Sequence, residues 1–182
     1  MADGEYHPAE DAFLAQAGVE KGIMQLIEKD RAEVLYGSMS DRVQAAGGSV
    51  ANSIAGVGSL GLRTAFIGRV SDDALGKFYA KAMTDEGTDF VNAPVAGGEL
   101  PTSRSMIFVS PDGERSMNTY LGISAELGPE DVDPEVAADA EIVFLEGYLF
   151  DKDKGKEVFI AMARACRAAG GKASIAISDP FC

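Results

Sequence analysis

The sequence predicts an α/β fold: a mostly parallel sheet sandwiched by helices, with a small β lid standing off it. Three observations carry that expectation. From residue 50 onward, helix-like and strand-like segments largely alternate, the pattern of parallel strands joined by crossover helices. Pro111-Asp112-Gly113 separates two strand-like runs, which reads as a hairpin outside that layer. The composition, 46% hydrophobic and 25% charged over 182 residues, is that of one ordinary globular domain with room for a core.

Taken in order, residues 1–10 read as an irregular leader. Residues 11–17 and 29–36 carry helical patterns, with 23–27 a short extended segment between them. Residues 42–48 hold another short strand. Over 50–60 the apolar positions Ile54, Val57 and Leu60 recur every third residue, one face of a helix, and Gly61 stands where a left-handed C-cap belongs. Residues 64–70 are strand-like. Asp72 or Asp73 caps a helix over 74–86 that ends at Gly87. Residues 90–95 read as extended, and 102–109 and 115–121 form the hairpin. Residues 130–140 read as one helix with an acidic first turn, 142–145 as a buried strand, 153–169 as a long helix and 173–178 as a last strand. The whole chain, 1–182, reads as one unit: lid strands near 23–27, 42–48 and 102–120, and an α/β core from about 50.

Gly56-Val57-Gly58-Ser59-Leu60-Gly61 matches a dinucleotide-binding fingerprint letter for letter. That fingerprint must follow a strand and open a helix, so that helix N-terminal amides face a pyrophosphate. Here the glycines close a helix and a strand comes after them, so packing and a C-cap explain them better.

Other classes fall away on simpler grounds. A net charge of −13, spread along the chain, argues against a nucleic-acid or anionic-membrane partner, because phosphate affinity comes from Lys and Arg. Cys166 and Cys182 are too few for a disulfide framework, and Cys166 reads as a small buried thiol on a helix. His7 is the only histidine, which excludes an all-histidine metal site. No apolar run approaches a bilayer span and the acidic start lacks a signal-peptide pattern, so a cytoplasmic protein is expected.

The informative segment is Gly47-Gly48-Ser49-Val50-Ala51-Asn52-Ser53. Two glycines at a strand end let a backbone approach a ligand closely. Ser49 can cap the adjoining helix, and Asn52, one turn in, carries donors and acceptors that suit vicinal hydroxyls. On these residues alone, a glycine turn with a serine N-cap stays an open alternative.

The order and spacing of the motifs downstream narrow the choice. Gly58, Leu60-Gly61, Phe66-Ile67-Gly68, Asp72-Asp73 and Gly76 come after that segment in a fixed order. Further on stand Pro111-Asp112-Gly113-Glu114-Arg115-Ser116-Met117, Leu121-Gly122, Glu146-Gly147-Tyr148 and Ser178-Asp179-Pro180-Phe181. As a set these resemble the N-terminal part of the PfkB-type, ribokinase-like carbohydrate kinases, in their adenosine-kinase-like branch, over about residues 11–182. The resemblance implies a helix-sandwiched sheet with a β lid over a sugar site. It implies transfer of the γ-phosphoryl of ATP, with Mg²⁺, to the hydroxymethyl group of a sugar or nucleoside. Gly48, Ser49 and Asn52 would contact the substrate, with Gly47 shaping the turn. Arg115 would lie near the transferring phosphates, an exposed hairpin charge being the alternative. Met106 and Leu121 would be apolar lid or pocket contacts. The partners implied are a small sugar or nucleoside, with a homodimer through the lid as an option the family offers.

The resemblance is incomplete at both ends. The family opens with a buried Gly-Asn…Asp strand, where this chain reads Gly4-Glu5-Tyr6-His7-Pro8-Ala9-Glu10. The family's Asn-x-x-Glu and Gly-Ala-Gly-Asp segments, which organise metal and phosphate and supply the base, have no match. No catalytic residue is therefore expected in this chain, nor most of an ATP site. A substrate-side fragment, inactive alone and marginally stable or self-associating, is the first expectation. A non-catalytic sugar-binding or lid-dimerising module is the second, and a Rossmann-type NAD oxidoreductase a distant third.

Overall fold

A computed structural model describes residues 4–8 and 10–177, with side chains from residue 10 onward. The Pro-Asp-Gly turn forms as its residues dictate. Gly113 takes φ 86°, and the Ser110 amide donates to the Glu114 carbonyl at 2.9 Å, closing a hairpin between β6 (Arg104–Val109) and β7 (Arg115–Tyr120). The remaining elements, in chain order, are β1 (Gly4–Pro8), α1 (Asp11–Ala17), β2 (Met24–Leu26), α2 (Lys29–Ser38), β3 (Val43–Ala45), α3 (Ser49–Ser59), β4 (Thr64–Phe66), α4 (Ala74–Asp85) and β5 (Thr88–Phe90). After the hairpin come α5 (Pro134–Ala138), β8 (Ile142–Glu146), α6 (Asp153–Ala168) and β9 (Lys172–Ala176).

The hairpin belongs to a five-stranded sheet in the order β2-β7-β6-β1-β3. It is larger and less antiparallel than the small flap expected: β1 runs parallel to β6 and β2 parallel to β7, while β6–β7 and β1–β3 are antiparallel. The leader expected to be irregular supplies β1. Its five residues lack an apolar run, so no periodicity announces it; pairing on both edges makes the strand. This sheet has its own core. Leu14 from α1 and Ala32 and Leu35 from α2, with Met39 just after α2, bury against Met106, Phe108 and Tyr120. At the hairpin tip, Lys21 bridges Asp11 and Asp112 at 2.7 and 2.6 Å.

The α/β core consists of two parallel ladders, β4–β5 and β8–β9. Phe66, Tyr79 and Phe90 meet ring to ring, with centroids 5.9–6.0 Å apart, where α4 covers β4 and β5. Val158, Phe159, Met162 and Cys166 of α6 bury against Ala137 and Leu127, which confirms Cys166 as a buried helical thiol. The helix expected over 130–140 is instead a 3₁₀ turn, Pro129–Asp131, and then the five-residue α5. Pro134 forbids helical backbone at Asp133, which sits at ψ 114° and caps α5 through the Glu135 amide. The strand expected over 90–95 begins earlier, at Thr88, and beyond it only a single bridge joins Ser71 and Val95.

The glycine run 56–61 closes α3 as expected, and β4 comes next. Gly61 takes φ 88°, the left-handed conformation that ends a helix, and a methyl on Gly58 would lie 2.8 Å from Thr64 Oγ1, so a helix-ending turn accounts for the first and packing for the second. The segment 178–181 and Cys182 lie outside the described residues, as do the side chain of His7 and the last residue of the strand expected over 173–178.

Candidate functional site

The site is built where α3 begins. Gly48 is the N-cap and takes φ 130°, ψ 141°, a region that penalises any Cβ. Of the two glycines it is Gly48, and not Gly47, that holds the positive φ, so the shaping role expected of Gly47 falls to its neighbour. Ser49 does not cap the helix. It is the first residue inside, and its hydroxyl donates across the fold to Glu146 Oε2 at 2.6 Å.

Glu146 does the capping instead. It is the last residue of β8, and its Oε2 also accepts from the Val50 amide at 3.0 Å. A carboxylate placed there meets two donors and the positive end of the helix dipole. Its second oxygen, Oε1, is buried and has no hydrogen-bond partner among the described residues. A buried carboxylate oxygen is costly unless water or a ligand supplies a donor, and Glu146 borders the cavity from which one can come. Sequence reasoning places Glu146-Gly147-Tyr148 in a recognisable segment and gives Glu146 no role. The available signal is a single carboxylate ending the apolar run 142–145.

Asn52 sits one turn into α3, its amide bonded to the Gly48 carbonyl at 2.8 Å and its side chain exposed. Gly48, Ser49 and Glu146 thus meet at one helix start, with Asn52 exposed one turn further on. Arg115 stands apart. It is exposed at the start of β7, opposite Val109, and among the described residues no ion pair engages it. Met106 is wholly buried in the lid-sheet core, whereas Leu121 lines the main cavity.

That cavity, about 980 Å³, runs between β4 and β8 and reaches Gly48 and Glu146. A second polar cluster fixes the loop before α4. Asp73 Oδ1 accepts from the Gly76 amide at 2.8 Å and the Thr102 hydroxyl at 2.7 Å, and Oδ2 accepts from the Thr102 amide at 2.9 Å. Burial alone would push the Asp73 carboxyl up, but these donors together outweigh it and hold the group below its ordinary value. Gly76 is required beside it, since a methyl there would lie 2.1 Å from the Ser71 carbonyl oxygen.

Among the described residues no three His, Cys, Asp or Glu side chains converge on a metal-sized site, so no residue here is assigned to Mg²⁺. Nor is any helix of the described residues long and apolar enough to cross a membrane.

Comparison with known proteins bears on the same residues. Positions 21–182 match the model of the pfkB family carbohydrate kinases. A 5-dehydro-2-deoxygluconokinase of Geobacillus kaustophilus is 30% identical over 124 residues, covering 66% of this chain and 37% of its own. A ribokinase of Arabidopsis thaliana is 32% identical over 132 residues, 69% of this chain and 33% of the relative. Among solved structures, the adenosine kinase of Sinorhizobium meliloti superposes with a TM-score of 0.90 at 45% identity, over 100% of this chain and 55% of its own. A probable sugar kinase of Rhizobium etli gives 0.89 at 42%, over 99% and 54%. The chain therefore spans about half the length of these solved structures and about a third of the curated relatives.

Proposed function

Because the chain belongs to the pfkB family of carbohydrate kinases and has a ribokinase-like α/β fold, we propose that it carries the acceptor-binding side of an ATP-dependent sugar or nucleoside kinase. One observation supports this above the others: Glu146 Oε1, buried and unpaired at the start of α3, beside the Cβ-free backbone of Gly48. A sugar hydroxyl supplies the missing donor. Asn52 offers a carboxamide to a neighbouring hydroxyl, and Ser49 holds the carboxylate in place. Gly48, Ser49, Asn52 and Glu146 are therefore the substrate-binding set.

The reaction is transfer of a phosphoryl group from ATP to the acceptor's hydroxymethyl oxygen. That oxygen must lose a proton and the transferring group's charge must be offset. No described residue is assigned to the base, the anion hole or the metal, so the chain is read as inactive alone. Arg115 is kept as a phosphate-proximal residue on resemblance only.

A coupled assay with ATP and a panel of nucleosides and sugars tests this. The 182-residue chain should show no turnover, and adding the C-terminal half of a full-length relative should restore it. Turnover by the chain alone would contradict the assignment of the base to a segment outside it. Glu146→Gln should weaken acceptor binding by about 10- to 100-fold, the range of a hydrogen bond to a charged group.

A further inference from the structure

We propose that the space between β4 and β8 is the seat of an extended strand, and that this chain accepts an apolar peptide segment of about five residues there in trans. The backbone of the two flanking ladders carries the inference. The Phe66 carbonyl accepts from the Val91 amide at 3.0 Å, so Phe66 directs its backbone groups toward β5. Successive strand residues point their N–H and C=O to opposite edges, which turns those of Ala65 and Ile67 away from β5. On the other ladder the Glu141 carbonyl accepts from the Lys172 amide at 2.9 Å, and the same alternation turns Ile142 and Phe144 away from β9.

Those two outward edges line the cavity. Consecutive residues 62–70 on one side and 139–146 on the other form its walls, and no residue of β9 does. Among the described residues no backbone hydrogen bond joins β4 to β8. Helix α3 packs on both strands and ties the two walls together. A compact polar ligand would leave both rows of N–H and C=O groups unpaired. An extended chain satisfies both, giving one sheet in the order β5-β4-strand-β8-β9. Val50, Ile54 and Val57 of α3 and Val158, Phe159 and Met162 of α6 also line the cavity, so the occupant is apolar on both faces, as strands of a helix-covered sheet are.

Strand binding is independent of the acceptor assignment, because it concerns backbone edges and not Glu146 or Asn52. The probe is a capped peptide, Lys-Val-Ile-Val-Ile-Val-Lys, with a control of the same sequence N-methylated at alternate residues. Amide exchange is followed residue by residue in the full chain. The peptide should slow exchange at Ala65, Ile67, Ile142 and Phe144 by roughly tenfold or more, saturably, with no effect of the control. No slowing at these four amides, equal slowing by the control, or protection confined to the outer strands β2 and β3 would each overturn it.

Discussion

The five-stranded sheet and the α/β core use strands of similar length and reach opposite ends. Met106 and Phe108 of β6 are completely buried, whereas Ile142 at the head of β8 is 63% exposed. The sequence of β8, Ile-Val-Phe-Leu-Glu, is the more apolar of the two. Burial is thus decided by neighbours and not by the strand's own residues. β6 has β7 on one edge, β1 on the other and helix side chains on its face; among the described residues β8 pairs with β9 alone, with α3 and α6 packed on it. The side chains of a parallel strand are covered when helices lie on both faces and neighbouring strands flank it, and β8 is flanked on one edge alone among the described residues.

The contrast between the two regions breaks most readily at two phenylalanines. Phe108→Ala should cost about 3–5 kcal/mol, read as a lower urea midpoint, because it empties a filled core. Phe144→Ala, half-buried on β8, should cost less than about 1.5 kcal/mol, well under the value of a fully buried side chain. Equal losses would abolish the distinction between the two regions.

Gly48→Ala comes next. At φ 130° an added Cβ strains the backbone by about 1–3 kcal/mol, and acceptor affinity should fall with stability. Asp73→Ala should lose about 1–2 kcal/mol of cap energy. Its carboxyl lies below the ordinary value when folded, so its contribution is complete above ~3.9 and is lost as pH falls through the folded-state value. Asp73→Asn should therefore flatten the acid side of a stability–pH curve. Removing the exposed Arg63–Asp139 pair should leave the melting temperature unchanged.

Much of this is legible in the residues. The Pro-Asp-Gly turn, the spacing in 50–60 and the Asp73 cap each have local causes, and the elements form where those causes stand. What escapes a reading of the sequence depends on distance. β1 exists through its pairing with β6 and β3, and Ser49 caps nothing because Glu146, 97 residues away, takes its hydroxyl. Pro134, by contrast, is a local signal, and the acidic pattern of 130–140 masks it.

Whether the start of α3 is an acceptor seat is tested directly by amide chemical shifts during titration with adenosine and with ribose. Shifts at Gly48, Ser49, Asn52 and Glu146 that disappear in Glu146→Gln are the predicted result. Binding that perturbs none of these residues, or that Glu146→Gln leaves unchanged, would contradict it.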